Sequence, residues 1–266
     1  MKCSEKMYYE SLDRPEVLRV LFHPRPEYGY RPLSETRKDF FIPVEEQIQI
    51  GASLHLISNT APVLLFFHGN GEIVQDYDDM GILFNQQGLN FCVVDYRGYG
   101  VSTGTPSVAA MMADCHVVLD FMIKYLAENG IIGDICVMGR SLGSAAAIEL
   151  AARRKEDMMC LIIESGFAMV SPLLKTIGVQ TELTGLKENQ GFENIDKIKK
   201  FSKPCLIIHA EHDHIIPFSD GLDLYESCPA KKKTLLEVKG ANHNDIFPRA
   251  TDEYLFHLKK ICTQKT

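Results

Sequence analysis

Three absences bound what this chain of 266 residues can be. It has no long basic run: Lys plus Arg is 28 against 35 Asp plus Glu, a formal net charge of −7. Nucleic-acid phosphates demand clustered Lys and Arg, so no nucleic-acid partner is expected. The short triplet Lys231-Lys232-Lys233 follows turn-forming Pro229 and reads as a solvated loop face. No apolar run reaches the length of about 18 residues that marks a membrane-spanning helix, and the stretch MKCSEKMYYESLDRPE has no apolar h-region. Neither an integral membrane segment nor a secretory leader is therefore expected. Finally, the 8 cysteines include no C-x-x-C pair, which argues against a zinc ribbon or a thioredoxin-like redox site. Cys92, Cys136, Cys160 and Cys205 lie in or at the edge of apolar runs, where cysteine acts as a small hydrophobe. Reduced thiols in a cytoplasmic protein are the expectation. Cys262 stands one place too early for a prenylation box, and Cys3 alone is slender support for acylation.

What is present is a globular mixture, 45% hydrophobic and 24% charged, long enough to bury a large core without disulfide or metal staples. From Gln47 to Leu56 apolar residues alternate (Ile48, Ile50, Ala52, Leu54, Leu56), the period of a half-buried antiparallel strand with which Asp39–Val44 can pair. From Val63 onward the pattern changes to short, wholly apolar runs: VLLFF, FCVV, ICVM, CLIIE, CLIIHA and TLLEV. Strands apolar on both faces belong to a parallel sheet covered by helices on each side, an α/β architecture. Met111, Cys115, Val118, Met122 and Tyr125 recur at helical spacing, with Asn129-Gly130 as the stop; Tyr254, Leu258 and Ile261 mark a closing helix. With no repeat or linker, one domain over 1–266 is expected. Residues from about 165 to 203 break the rhythm and read as an insertion over one edge of the sheet.

Gly139-Arg140-Ser141-Leu142-Gly143 matches G-x-S-x-G. Alone the pattern is weak, since chance supplies roughly 0.1 matches in a chain this long. Its context strengthens it: an apolar run precedes Ser141, and the helix-forming SLGSAAAIELAARR follows from it. A strand, a sharp turn and a helix are what a nucleophile elbow requires. The serine needs a base, and the base an orienting carboxylate. His243 follows TLLEV in GANHND, and Asp213 follows CLII in HAEHDHIIP. Ser141, Asp213 and His243 thus stand in the order nucleophile, acid, base, each after a strand, where open parallel sheets place their sites. The loop HGNG after the first parallel run offers a backbone donor at Asn70, and Leu142 offers a second, for an oxyanion hole. His68 reads as structural, because His243 already serves as proton carrier. Glu164, at the end of LIIE, is a rival for the acid. His209, His212, Asp213 and His214 look like a metallo-hydrolase cluster, but Glu211 occupies a place where a histidine is needed.

Together HGNGE, VDYRGYGVSTGTPS, GRSLG, HAEHDHIIP and GANHND resemble the α/β-hydrolase superfamily, in particular its BEM46-like, serine-peptidase-S33-like branch; VLFHPRPEYGYRP and IIESGF followed by NIDKI are similar too. The resemblance runs over nearly the whole chain from about Leu21. It implies an α/β-hydrolase fold with an eight-stranded, mostly parallel sheet, a Ser-Asp-His triad and a small cap. It also implies action on esters, thioesters or occasionally amides. Two departures bear on substrate rather than chemistry: Ile50-Gly51-Ala52 where an Asp-Gly hairpin is usual, and His209-Ala210 where His-Gly is commoner. The expectation is a serine hydrolase of small carboxylic esters or thioesters that needs no metal or organic cofactor. A peptidase or amidase of the same fold, or a non-catalytic binding protein that keeps it, are the alternatives. Phe167, Met169, Val170, Leu173 and Leu174, with Ile215 and Ile216, read either as an acyl pocket or as the core of the cap.

Overall fold

A computed structural model of the chain describes Tyr9 and residues 11–27, 37–179 and 191–264. Cys3 lies outside them. Eight strands form one sheet: β1 (Arg37–Glu45), β2 (Ile48–His55), β3 (Val63–Phe67), β4 (Asn90–Val94), β5 (Ile135–Arg140), β6 (Cys160–Glu164), β7 (Cys205–Ala210) and β8 (Lys233–Val238). Their spatial order is β1-β2-β4-β3-β5-β6-β7-β8. The β1–β2 and β2–β4 pairs are antiparallel and the rest parallel. The six wholly apolar runs of the sequence are the six parallel strands. Every residue of β3 and β4 is buried, because helices cover both faces.

Successive side chains point to opposite faces, so each strand feeds two cores. Leu65, Phe67, Val137 and Ile163 join one apolar cluster; Leu64, Phe66, Met138 and Ile162 join the other. Helices Val108–Glu128 and Gly143–Arg153 close the first with Met111, Cys115 and Ala145, whereas Asp78–Gln86 and Thr251–Thr263 close the second with Phe84, Tyr254 and Leu258. The Ser107 hydroxyl caps the first of these helices by accepting from the Ala110 amide at 3.0 Å, as expected for the start of the Met111–Tyr125 stripe. From β3 the chain crosses to β4 on one side, then returns to β5 on the other. This reversal opens a crevice at the carboxyl ends of β3 and β5, the place where sheets of this kind bind ligands.

Two expectations need correction. First, β2 is not half-buried: Ser53 and His55, on its polar parity, are each 1% exposed. The helix beginning at Asp78 roofs that face, and Arg37, Asp39 and Asp78 supply it with polar partners. Arg37 donates to Asp39 at 2.7 Å and to Asp78; the Ser53 hydroxyl donates to Asp39. Second, the described part of the insertion, with helices Val170–Thr176 and Asn194–Ile198, covers a face rather than an edge. The second of these helices packs on Gly143–Arg153 and Phe218–Ser227, and residues 180–190 of the expected cap lie outside the described residues.

His55 carries a consequence for stability. Burial, reinforced by the positive charge of Arg37, lowers its pKa from 6.5 to about 4. Its neutral form is the folded form, so the contribution is complete above pH 6.5 and lost as pH falls through 4. The loss is on the order of 3 kcal/mol. Urea titrations between these limits should show the His55→Phe chain losing less stability than the wild type. Parallel curves would remove His55 from the account.

Candidate active site

Three strand ends and the loops that follow them build the site. After β5 the backbone turns so sharply that Ser141 takes φ 50°, a left-handed conformation rare for a residue with a side chain. Two glycines make the turn sterically feasible. A Cβ on Gly139 would stand 2.3 Å from the carbonyl oxygen of Gly143, and one on Gly143 would stand 2.1 Å from that of Phe67. The Ser141 amide donates to the Glu164 carbonyl at 2.9 Å, tying the turn to β6. Ala145, Ala146 and Ala147 are fully buried, and their small side chains let the helix lie close on the sheet.

Asp213 follows β7 and His243 follows β8. The Asp213 side chain is fully buried, with Oδ1 accepting from the Ile215 and Ile216 amides at 3.0 and 2.9 Å. Its Oδ2 lies 2.7 Å from Nδ1 of His243. Burial alone would raise the Asp213 pKa, but the bond to His243 and the two amides outweigh it and the net shift is downward. An ionised carboxylate can only accept, so Nδ1 of His243 carries the proton. Nε2 is then free to accept from the Ser141 hydroxyl, 3.0 Å away. Three side chains separated by as many as 102 positions thus meet in one hydrogen-bonded line. His209 supports the acid from behind: its Nε2 donates to the Ile216 carbonyl at 2.9 Å.

Asn70 follows β3 in a braced loop. Its side-chain oxygen accepts from the His23 amide and the Tyr99 hydroxyl at 2.8 and 2.7 Å. His68 is fully buried between the Gly69 carbonyl at 2.8 Å and the Asp95 carboxylate at 3.2 Å, away from the Ser141–His243 pair. The register of β3 on β5 pairs Phe67 with Gly139, which brings the Asn70 loop alongside the turn that carries Leu142.

Other candidates separate. Glu164 accepts from Arg140 at 3.1 Å and from the Tyr254 hydroxyl at 2.6 Å, so its carboxylate is engaged away from His243. Of the metal-like run set aside in the sequence, His209 stays 3.7 Å from Asp213, whereas His212 is exposed and His214 reaches Asn242 at 3.3 Å. Among the described residues, Cys136, Cys160 and Cys262 do bring their sulfurs within 4.8 Å of one another. They sit fully buried inside the second apolar cluster, and burial pushes the Cys160 thiol up. Three thiolates around a divalent ion would leave net negative charge in that dry core, so apolar packing is the better account. The apolar candidates also divide. Phe167, Val170 and Ile216 are sealed in the main core, at 0%, 3% and 1% exposed, whereas Met169 is 44% exposed and Ile215 is half-buried. Leu174 is fully buried as well, and Leu173 packs against the same core. Four of the seven candidates, Phe167, Val170, Leu174 and Ile216, are therefore cap and core packing; Val170 and Leu174 lie on the side of the Val170–Thr176 helix that faces the core.

Sequence reasoning assigned no role to Arg140 or Glu72, although both stand inside quoted motifs. The signal was a charged residue at the end of an apolar strand run. Arg140, the last residue of β5, reaches the His243 loop and is surrounded by Glu72, Glu164 and Asn244.

A mostly parallel eight-stranded sheet with a serine on the strand–helix turn, and His and Asp on later loops, defines an α/β-hydrolase. The comparisons agree. Residues 58–187 match the family model described as serine aminopeptidase, S33. Alpha/beta hydrolase domain-containing protein 17B of Xenopus tropicalis is 34% identical over 215 residues, covering 78% of this chain and 68% of that protein. Its Homo sapiens counterpart is 34% identical over 217 residues, with the same shares covered. In fold, the chain is similar to an esterase of Pyrococcus furiosus (TM-score 0.72, 19% identity, 90% of this chain and 97% of that one). It is also similar to a soluble variant of monoglyceride lipase from Saccharomyces cerevisiae (TM-score 0.66, 17% identity, 89% and 99%). The chain belongs to the α/β-hydrolase superfamily, among the relatives of alpha/beta hydrolase domain-containing protein 17, and is a hydrolase of that family.

Proposed function

We propose that the protein cleaves carboxylic ester or thioester bonds of small molecules through an acyl-enzyme on Ser141. One observation carries the reading: the His243 ring lies between Asp213 at 2.7 Å and Ser141 at 3.0 Å. His243 takes the hydroxyl proton through Nε2 as the serine oxygen attacks the carbonyl carbon. Asp213 holds the ring in the tautomer that leaves Nε2 open and stabilises the imidazolium as it forms. The Leu142 and Asn70 amides donate to the oxyanion, each supplying about 3 kcal/mol of transition-state stabilisation. His243 then returns its proton to the departing alcohol or thiol. Water, deprotonated by the same nitrogen, releases the acid and restores Ser141. No step calls for a metal or organic cofactor. Met169 and Ile215, two of the apolar candidates that keep exposed surface, are the proposed acyl contacts.

The esterase and lipase among the fold neighbours support the ester reading. The match to a serine aminopeptidase model favours amides as the second. A fluorophosphonate probe should label the chain once, on the peptide that contains Ser141. A panel of p-nitrophenyl esters of graded chain length, with thioesters and aminoacyl amides beside it, then ranks the substrates. Labelling on any other residue would end the proposal. An aminoacyl amide turned over faster than every ester would replace it with the peptidase reading.

A further inference from the structure

The strand-end guanidinium of Arg140 makes contacts that the acyl-transfer scheme leaves unused. It is twelve per cent exposed as a side chain and reaches three separate segments. Its Nη1 donates to Oε1 of Glu72, and its Nε donates to Oε1 of Glu164 at 3.1 Å. Its Nη2 donates to the backbone carbonyl of His243 at 2.9 Å and to Oδ1 of Asn244 at 3.1 Å. The two carboxylates are themselves held. Oε2 of Glu72 accepts from the Gly69 amide at 2.6 Å and from the Tyr77 hydroxyl at 2.5 Å. Oε2 of Glu164 accepts from the Tyr254 hydroxyl at 2.6 Å. One planar cation, on the residue before the nucleophile, therefore links the loop that carries Asn70, the end of β6 and the loop that carries the base. A guanidinium suits this junction, since its donors leave in fixed, divergent directions that an ammonium cannot match.

We propose that Arg140 is a positioning residue that, through Glu72 and the His243 carbonyl, holds the oxyanion loop and the base in register with Ser141. The inference rests on the acyl-transfer reading and adds to it a source of preorganisation. Of the three loops at the crevice, those of Asn70 and His243 follow other strands, β3 and β8, than the one that leads into the elbow. Without a shared anchor, each would wander independently, and displacements of about 1 Å cost about 100-fold in rate. Arg140 also lines a cleft of about 240 Å³ whose wall includes Glu72, Glu164, His243 and Asn244. A free guanidinium ion can therefore reach the same carboxylates when the side chain is cut away.

The test uses the full chain with the ester that the wild type turns over best, and Ser141→Ala as the blank. Arg140→Ala is expected to lower kcat about 100-fold with KM within about twofold. Millimolar guanidinium chloride should restore about tenfold of that loss, while leaving the wild type and Ser141→Ala unchanged. Arg140→Lys should recover less than guanidinium does, because the three donors of an ammonium leave one point and cannot reach four acceptors spread over three segments. Glu72→Gln, which keeps the shape and an oxygen for the Gly69 amide but turns an NH₂ toward Arg140, should lower kcat about tenfold. Hydrogen exchange over residues 240–246 reads the tether without catalysis, and faster exchange in Arg140→Ala is expected. A wild type that turns over no ester and matches Ser141→Ala would fail the acyl-transfer reading, and exchange alone would then decide the tether. Unchanged exchange overturns the inference, as does a kcat in Arg140→Ala within about threefold of the wild type. A loss that guanidinium leaves untouched while Glu72→Gln behaves as wild type overturns it too.

Discussion

Replacing Asp213 by asparagine is expected to lower kcat about 10⁴-fold, a smaller loss than the roughly 10⁶-fold of Ser141→Ala. The local hydrogen bonds make the direction of the effect specific. Oδ1 of Asp213 accepts from two backbone amides, at Ile215 and Ile216. An asparagine must keep its oxygen there, because turning its NH₂ toward two N–H donors would leave all of them unpaired in a buried place. Its NH₂ then faces Nδ1 of His243, which must become the acceptor. The ring proton moves to Nε2 and points at Ser141, so the base can no longer accept. Glu164→Gln, by contrast, alters only the bonds to Arg140 and Tyr254, and kcat should fall by about tenfold at most. Steady-state kinetics of both variants on one ester, with thermal melts to verify folding, distinguish the two acids. The double variant Ser141→Ala with Asp213→Asn should be no slower than Ser141→Ala alone, since residues acting as one unit are not additive. A Glu164→Gln chain as crippled as Asp213→Asn would reassign the acid.

The second large effect is on folding. Gly143→Ala places a methyl 2.1 Å from the Phe67 carbonyl oxygen and 2.7 Å from that of His68. Both are backbone atoms, Phe67 at the end of β3, which β4 and β5 fix on either side, and His68 directly after it, so neither can yield cheaply. The helix must lift from β3, and the Leu142 amide moves with it. A cost of about 3 kcal/mol is expected, which lowers Tm by about 5 °C for a chain of this size, with kcat falling as well. Gly88→Ala is the control. Gly88 has φ +81° but open space around it, so only the backbone preference is lost, about 1 kcal/mol. A Gly143→Ala chain as stable as Gly88→Ala would mean the turn is looser than drawn.

How far the residues alone carried the reading differs by level. The parallel strands were legible because their evidence is local: β3, β4 and β5 are uninterrupted apolar runs, and only a strand covered on both faces requires that. The elbow was legible because strand, glycines, serine and helix are neighbours in the chain. Order along the chain was enough to nominate Asp213 and His243. β2 was misjudged because its alternation is real, yet the helix from Asp78 roofs the polar side. Nothing within Gln47–Leu56 reports a roof built from residues further on. The insertion misled for the same reason, since Phe167 and Val170 carry the same apolar character whether they line a pocket or fill a core.

The order of residues by itself determined the α/β class, the six parallel strands, the strand–turn–helix around Ser141 and the three residue types that meet there. Each of these depends on chemistry repeated over a few consecutive positions. Tertiary structure alone decided that Nδ1 of His243 finds Asp213 rather than Glu164, that Glu164 serves Arg140, and that Arg140 reaches the His243 carbonyl across 103 positions. Those choices follow from the sheet order and the directions of individual donors and acceptors. Such directions exist only once strands distant in the chain lie side by side.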